Sequence, residues 1–105
     1  MSKASREKGQ RGEREVRDLL RQYGFLAVRD GRLSADLSHD VPDVHFEVKR
    51  CERLSLPEWT RQAEMDAKEG EVPVVAYRRS QEPWRASVPL DFLLGLLVDR
   101  KYGLR

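Results

Sequence analysis

Three stretches of this sequence predict an α/β fold, a central mixed five-stranded sheet flanked by helices. In His45-Phe46-Glu47-Val48-Lys49-Arg50 the apolar Phe46 and Val48 alternate with Glu47 and Lys49, the period-2 signature of a strand with one face in a core. Ser55-Leu56-Pro57-Glu58 fits a capping box that opens a helix, with Pro in its first turn. Val72 to Tyr77 then forms an apolar run suited to a central parallel strand. Strand, capped helix and strand make a βαβ unit, for which the right-handed crossover is expected.

The remaining elements follow in order. Met1 to Gly12 is polar, with Lys3, Arg6, Lys8 and Arg11, and residues 1–10 read as a mobile basic arm. From about Arg11 to Tyr23 the apolar set Val16, Leu19, Leu20 and Tyr23 has helical spacing, with Gly24 as the residue just past its end. Glu13 and Glu15 flank that stripe on opposite sides, and periodicity does not choose between them. Phe25 to Arg29 is a short strand, Asp30 to Ala35 a loop, and Asp36-Leu37-Ser38 a second strand that turns near Asp40-Val41-Pro42-Asp43 into the Glu47 strand. The capped helix runs to about Lys68 with Trp59, Ala63 and Ala67 on one face, and Gln62 on the flank of that face. Trp84 to Val88 is an edge strand. Residues 89–105 form a C-terminal helix and tail, so apolar (Phe92, Leu93, Leu94, Leu96, Leu97, Val98) that one core face cannot absorb it.

The chain of 105 residues is read as one domain able to bury one core. Cys51, its one cysteine, excludes an internal disulfide and fits a reducing compartment. Neither a membrane-spanning run nor a signal-peptide h-region is present, so a soluble, cytoplasmic protein is expected. Charged residues make up 36% of the chain, yet the net charge is only +2. A polyanion site must therefore come from local segregation of Arg and Lys.

Glu47 and Lys49 lie about 6.6 Å apart on one side of their strand. A metal ion can use the carboxylate, and a nucleophilic water or a phosphate charge can use the ammonium. A two-carboxylate metal site needs a second acid within about 5 Å of Glu47, because each oxygen must stand roughly 2.0–2.6 Å from the ion. On an extended strand Asp43 would sit about 13 Å away. Across a hairpin centred near Val41 and Pro42, Asp36 would face Glu47 at about 5 Å. Geometry favours Asp36, with Asp40 and Asp43 as alternatives. His39 and His45 read as a turn residue and a strand-face residue, since no His/Cys cluster of zinc spacing exists. Tyr77-Arg78-Arg79 and Trp84-Arg85 fit either an aromatic and basic DNA patch or a core with a charged rim.

The order of helix acid, Arg after a strand, Asp, Glu-x-Lys, helix and two strands resembles the PD-(D/E)XK nuclease superfamily. More narrowly it is similar to the archaeal-type Holliday junction resolvases, relatives of which some phages carry. The matching residues are Lys8-Gly9-Gln10-Arg11-Gly12-Glu13-Arg14-Glu15, Gly24-Phe25 to Arg29, and Glu47-Val48-Lys49. The resemblance implies a restriction-endonuclease-like fold over roughly Lys8 to Val88, with the C-terminal helix as an addition. It implies a catalytic set of Glu13, Asp36, Glu47 and Lys49 around Mg²⁺ (Mn²⁺ as substitute), with Asp36, Glu47 and Glu13 on the metal. Arg14 and Arg29 are implied as phosphate contacts; Ser34, Lys8, Arg11 and Arg50 are further candidates for the DNA. The implied activity is resolution of four-way DNA junctions by paired phosphodiester cuts, for which a two-fold homodimer is the natural reader. A repair or restriction-type endonuclease on duplex or branched DNA, or a non-catalytic DNA-binding module on the same scaffold, are the competing expectations.

Overall fold

Helix α1, Lys3–Gln22, begins well before the expected start. Residues read as a mobile arm therefore form its first two turns, where Ala4, Arg6, Glu7, Lys8 and Gln10 supply good helix formers. Lys8 also ion-pairs with Glu52, tying this end of the helix to the body. The Lys8 ammonium and the Ser80 hydroxyl hold the Glu52 carboxyl down at about 2. A computed structural model of the chain describes residues 3–30 and 36–103, without the side chains of Ser5, Asp30 and Asp36.

The helix ends as Gly24 dictates. Gly24 takes φ 90°, Phe25 N–H donates to the Leu20 carbonyl and Gly24 N–H to that of Arg21, a Schellman termination. Strand β1, Ala27–Asp30, then pairs antiparallel with β2, Asp36–His39, in the register Ala27↔His39 to Asp30↔Asp36. Asp40 closes this ladder, accepting from Leu26 N–H through Oδ1 while its own N–H donates to the Leu26 carbonyl. A turn with Asp43 at φ 57° leads into β3, Val44–Arg50.

Strand β3 runs parallel to β4, Val72–Arg78, and β5, Arg85–Ser87, lies antiparallel on the far edge of β4. Helix α2, Leu56–Asp66, is the crossover between β3 and β4. Its Ser55 hydroxyl turns onto the Glu58 carboxylate at 3.1 Å, and no side-chain bond caps the backbone. Trp59 and Ala63 pack against Val75 of β4, and this cluster is the heart of the core.

The five strands arrive in the predicted order, but as a two-stranded and a three-stranded sheet. One continuous five-stranded sheet is thus corrected. The chain between β2 and β3 makes its bonds to other partners. Asp40 N–H goes to Leu26, Val41 N–H to the His39 Nδ1, and the Asp43 carbonyl accepts from Val72. Among the described residues no ladder joins β2 to β3.

His39 stacks edge-on to Phe46, with ring centroids 4.9 Å apart, and burial lowers its pKa from 6.5. The unfolded chain then takes up protons before the native one as pH falls. The contribution is present above pH 6.5 and is lost as the pH drops through the unfolded and then the folded pKa. Melting temperature is expected to fall from pH 7 to pH 5 more steeply in the wild type than in His39→Gln. Parallel pH profiles in the two proteins would overturn this.

Gly12 is buried where α1 crosses β3. A Cβ there would stand 2.9 Å from the Arg50 Cβ and 3.4 Å from the Trp84 ring, and a Cβ anchored to a strand cannot yield. Helix propensity alone would favour Ala by about 1 kcal/mol. Overpacking costs about 1–3 kcal/mol, so thermal denaturation should show Gly12→Ala destabilised; a gain in stability would refute the close approach.

Helix α3, Leu90–Tyr102, has no buried residue. Leu90, Leu93, Leu94, Leu96, Leu97 and Val98 are all exposed, as an apolar circumference without a matching groove requires. Among the described residues no helix is long and apolar enough to cross a membrane.

Candidate active site

A cleft of about 1020 Å³ opens between α1, β3 and the last turn of α2. Strand β3 lines it along its length, and His45, Glu47 and Lys49 meet there side by side, as alternate residues of a strand do. The Glu47 carboxylate is the hub. Its Oε1 stands 3.6 Å from His45 Nε2 and its Oε2 3.6 Å from Lys49 Nζ, with 14% of the side chain exposed. The ammonium two residues on is thus held beside this carboxylate.

Helix α1 contributes Glu13, whose Oε1 accepts from Arg29 Nε at 2.9 Å. The pair is largely shielded, at 13% and 19% exposure. The choice between Glu13 and Glu15 is made here. Glu15 faces the other flank, where it accepts from Arg78 at 2.7 Å and from Trp84 Nε1 at 3.0 Å, with Arg50 Nε at 3.5 Å. Those bonds fasten α1 to the three-stranded sheet.

The basic candidates divide accordingly. Arg50 has 9% of its side chain exposed and packs under Gly12, so it holds the fold in place of the outward DNA contact expected of it. Arg78 and Trp84 are drawn inward by Glu15, and they read as core and rim. Lys8 is ion-paired with Glu52, and Arg29 with Glu13. Arg11 and Arg14 stay exposed on α1. Ser34 lies outside the described residues, as does the Asp36 side chain; the Asp36 backbone opens β2 opposite Asp30. The neighbouring Leu37, Ser38 and His39 line the cleft. Asp40 spends Oδ1 on Leu26 N–H, and Asp43 sits exposed in the positive-φ turn.

From α2, Gln62 and Asp66 reach the cleft one turn apart. Asp66 was not expected. The signal was its i,i+4 spacing from Gln62 on one helix flank. The donors present, the half-buried Glu47 carboxylate and His45 imidazole with the exposed Asp66 carboxylate, fit a divalent cation.

A small α/β domain whose cleft gathers a helix glutamate and a strand Glu-x-Lys has the architecture of the nuclease superfamily its motifs resemble. More particularly, the chain is similar in structure to Hjc, a Holliday junction resolvase from the archaeal hyperthermophile Archaeoglobus fulgidus. The TM-score is 0.59 at 25% identity, covering 77% of this chain and 72% of that one. No family model matches the chain, and no curated protein does. The likeness bears out the resemblance to archaeal-type resolvases.

Proposed function

We propose that this protein is a metal-dependent, structure-selective endonuclease that resolves four-way DNA junctions. The observation that carries the reading is Glu47 beside Lys49 in a cleft that also holds Glu13, on a fold similar to a resolvase. In this reading Glu47 and Asp36 hold Mg²⁺ (or Mn²⁺), with Glu13 completing the set. Asp36 is the preferred aspartate because Asp40 is engaged with Leu26 and neither Asp40 nor Asp43 lines the cleft. A cation held by these residues would polarise the scissile phosphate and lower the pKa of a bound water. Lys49, as the ammonium, orients the attacking water by hydrogen bonding and stabilises the negative charge that develops on the phosphate, and the proton of the water leaves to solvent. Arg29 positions Glu13 through their ion pair. Arg14 and Arg11 contact the phosphate backbone without reading bases.

The test is cleavage of labelled four-way junction, linear duplex and single strand side by side, with and without Mg²⁺. Paired symmetric cuts in the junction alone support resolution. Equal cutting of duplex points to a repair or restriction-type enzyme, and junction binding without cutting in either Mg²⁺ or Mn²⁺ to a non-catalytic module.

Two coordinated cuts call for two sites, and a two-fold dimer places one on each strand. The exposed apolar α3 is the proposed interface. Leu93→Glu together with Leu97→Glu is expected to convert the dimer to monomer by sedimentation equilibrium. A variant that stays folded and dimeric moves the interface elsewhere.

A further inference from the structure

We infer that His45, Glu47 and Asp66 form a second cation site, on the far side of Glu47 from Lys49, that takes a first-row transition cation. One donor atom from each of the three lies within 4.8 Å of the others. His45 Nε2 and Glu47 Oε1, at 3.6 Å, already stand at the separation of two donors sharing one ion at about 2.1 Å.

Four observations beyond the clustering point to a ligand. His45 Nε2 is sealed from solvent and makes no hydrogen bond among the described residues, a cost that coordination would remove. Asp66 has neither a hydrogen bond nor an ion pair among them, whereas His45 Nε2 has only the 3.6 Å approach of Glu47. It is also the last residue of α2, where the carbonyl end of the helix disfavours an anion and attracts a cation. The two Glu47 oxygens face opposite ways, Oε1 toward His45 and Oε2 toward Lys49, so the carboxylate can serve two positions.

The donor set sets the preference. Mg²⁺ seeks oxygen ligands and keeps its waters, whereas an imidazole nitrogen beside two carboxylates suits Mn²⁺ or Zn²⁺. The site stands on these donors and not on the nuclease reading; of the four expected catalytic residues it uses Glu47 alone.

Mn²⁺ is the probe, added to the full chain without DNA. Pulsed electron paramagnetic resonance should show nitrogen coupling to bound Mn²⁺, persisting in tenfold excess Mg²⁺ and abolished in His45→Ala. Asp66→Asn, an exposed substitution that should leave folding intact, is expected to weaken this binding by at least about tenfold. Bound Mn²⁺ without nitrogen coupling, coupling that survives His45→Ala, loss of coupling to Mg²⁺, or unchanged affinity in Asp66→Asn would each overturn the inference. Junction cleavage in Mg²⁺ is scored separately on the wild type. Coupling without cleavage would sink the nuclease reading alone, and cleavage without coupling would sink the second site alone.

Discussion

Glu47→Gln is expected to lower junction cleavage by about 10³-fold, the equivalent of roughly 4 kcal/mol of transition-state stabilisation, with junction affinity almost unchanged. Gln keeps the shape of the side chain but removes the charge that holds Lys49 at 3.6 Å and that the cation requires. In the proposed reading binding would persist, because it would rest on Arg and Lys contacts to phosphate. Single-turnover cleavage and a binding titration on the same junction measure the two quantities. Asp36→Asn should behave in the same way, whereas Asp40→Asn and Asp43→Asn should leave the cleavage step intact. Wild-type cutting by Glu47→Gln would remove the carboxylate from the mechanism. Loss of cutting in Asp43→Asn but not in Asp36→Asn would reassign the aspartate.

Trp59→Ala should cost about 3–5 kcal/mol, the range for emptying a buried aromatic site. Trp59 is 7% exposed and fills the space between Ala63, Val75 and Tyr77, whose ring centroid lies 6.3 Å away. In a chain of this size that loss lowers the melting temperature by about 12 °C or more. The same residue anchors α2, which carries Gln62 and Asp66 to the cleft, so the variant should also lose the order of that wall. Trp59→Phe, which keeps most of the buried ring, should lie much closer to wild type. A small shift in Trp59→Ala would mean that the α2 crossover is held by something other than this cluster.

Much of the chain is legible without coordinates wherever the determining interactions are local. Gly24 ends α1 because its positive φ serves the two bonds that close the helix, and both partners lie within five residues. The alternation from His45 to Arg50 places Glu47 and Lys49 together because strand geometry has a period of two. An apolar α3 with no single inward face is visible in its residues, and all its large apolar side chains from Leu93 to Val98 are indeed exposed.

What the tertiary structure decided concerns pairs far apart in the chain. Glu13 and Glu15 flank the same helical stripe, and only the crossing of α1 over β3 sends one to Arg29 and the cleft, the other to Arg50, Arg78 and Trp84. Arg50 is a candidate DNA contact on sequence, and its burial depends on Glu15, a partner 35 positions earlier. Asp66 joins His45 and Glu47 because the βαβ crossover folds the end of α2 back over β3. The split into two sheets has the same origin: Asp40 N–H extends the β1 pairing through Leu26, 14 residues earlier, and Val41 N–H turns onto the His39 side chain, partners that residue patterning alone does not record.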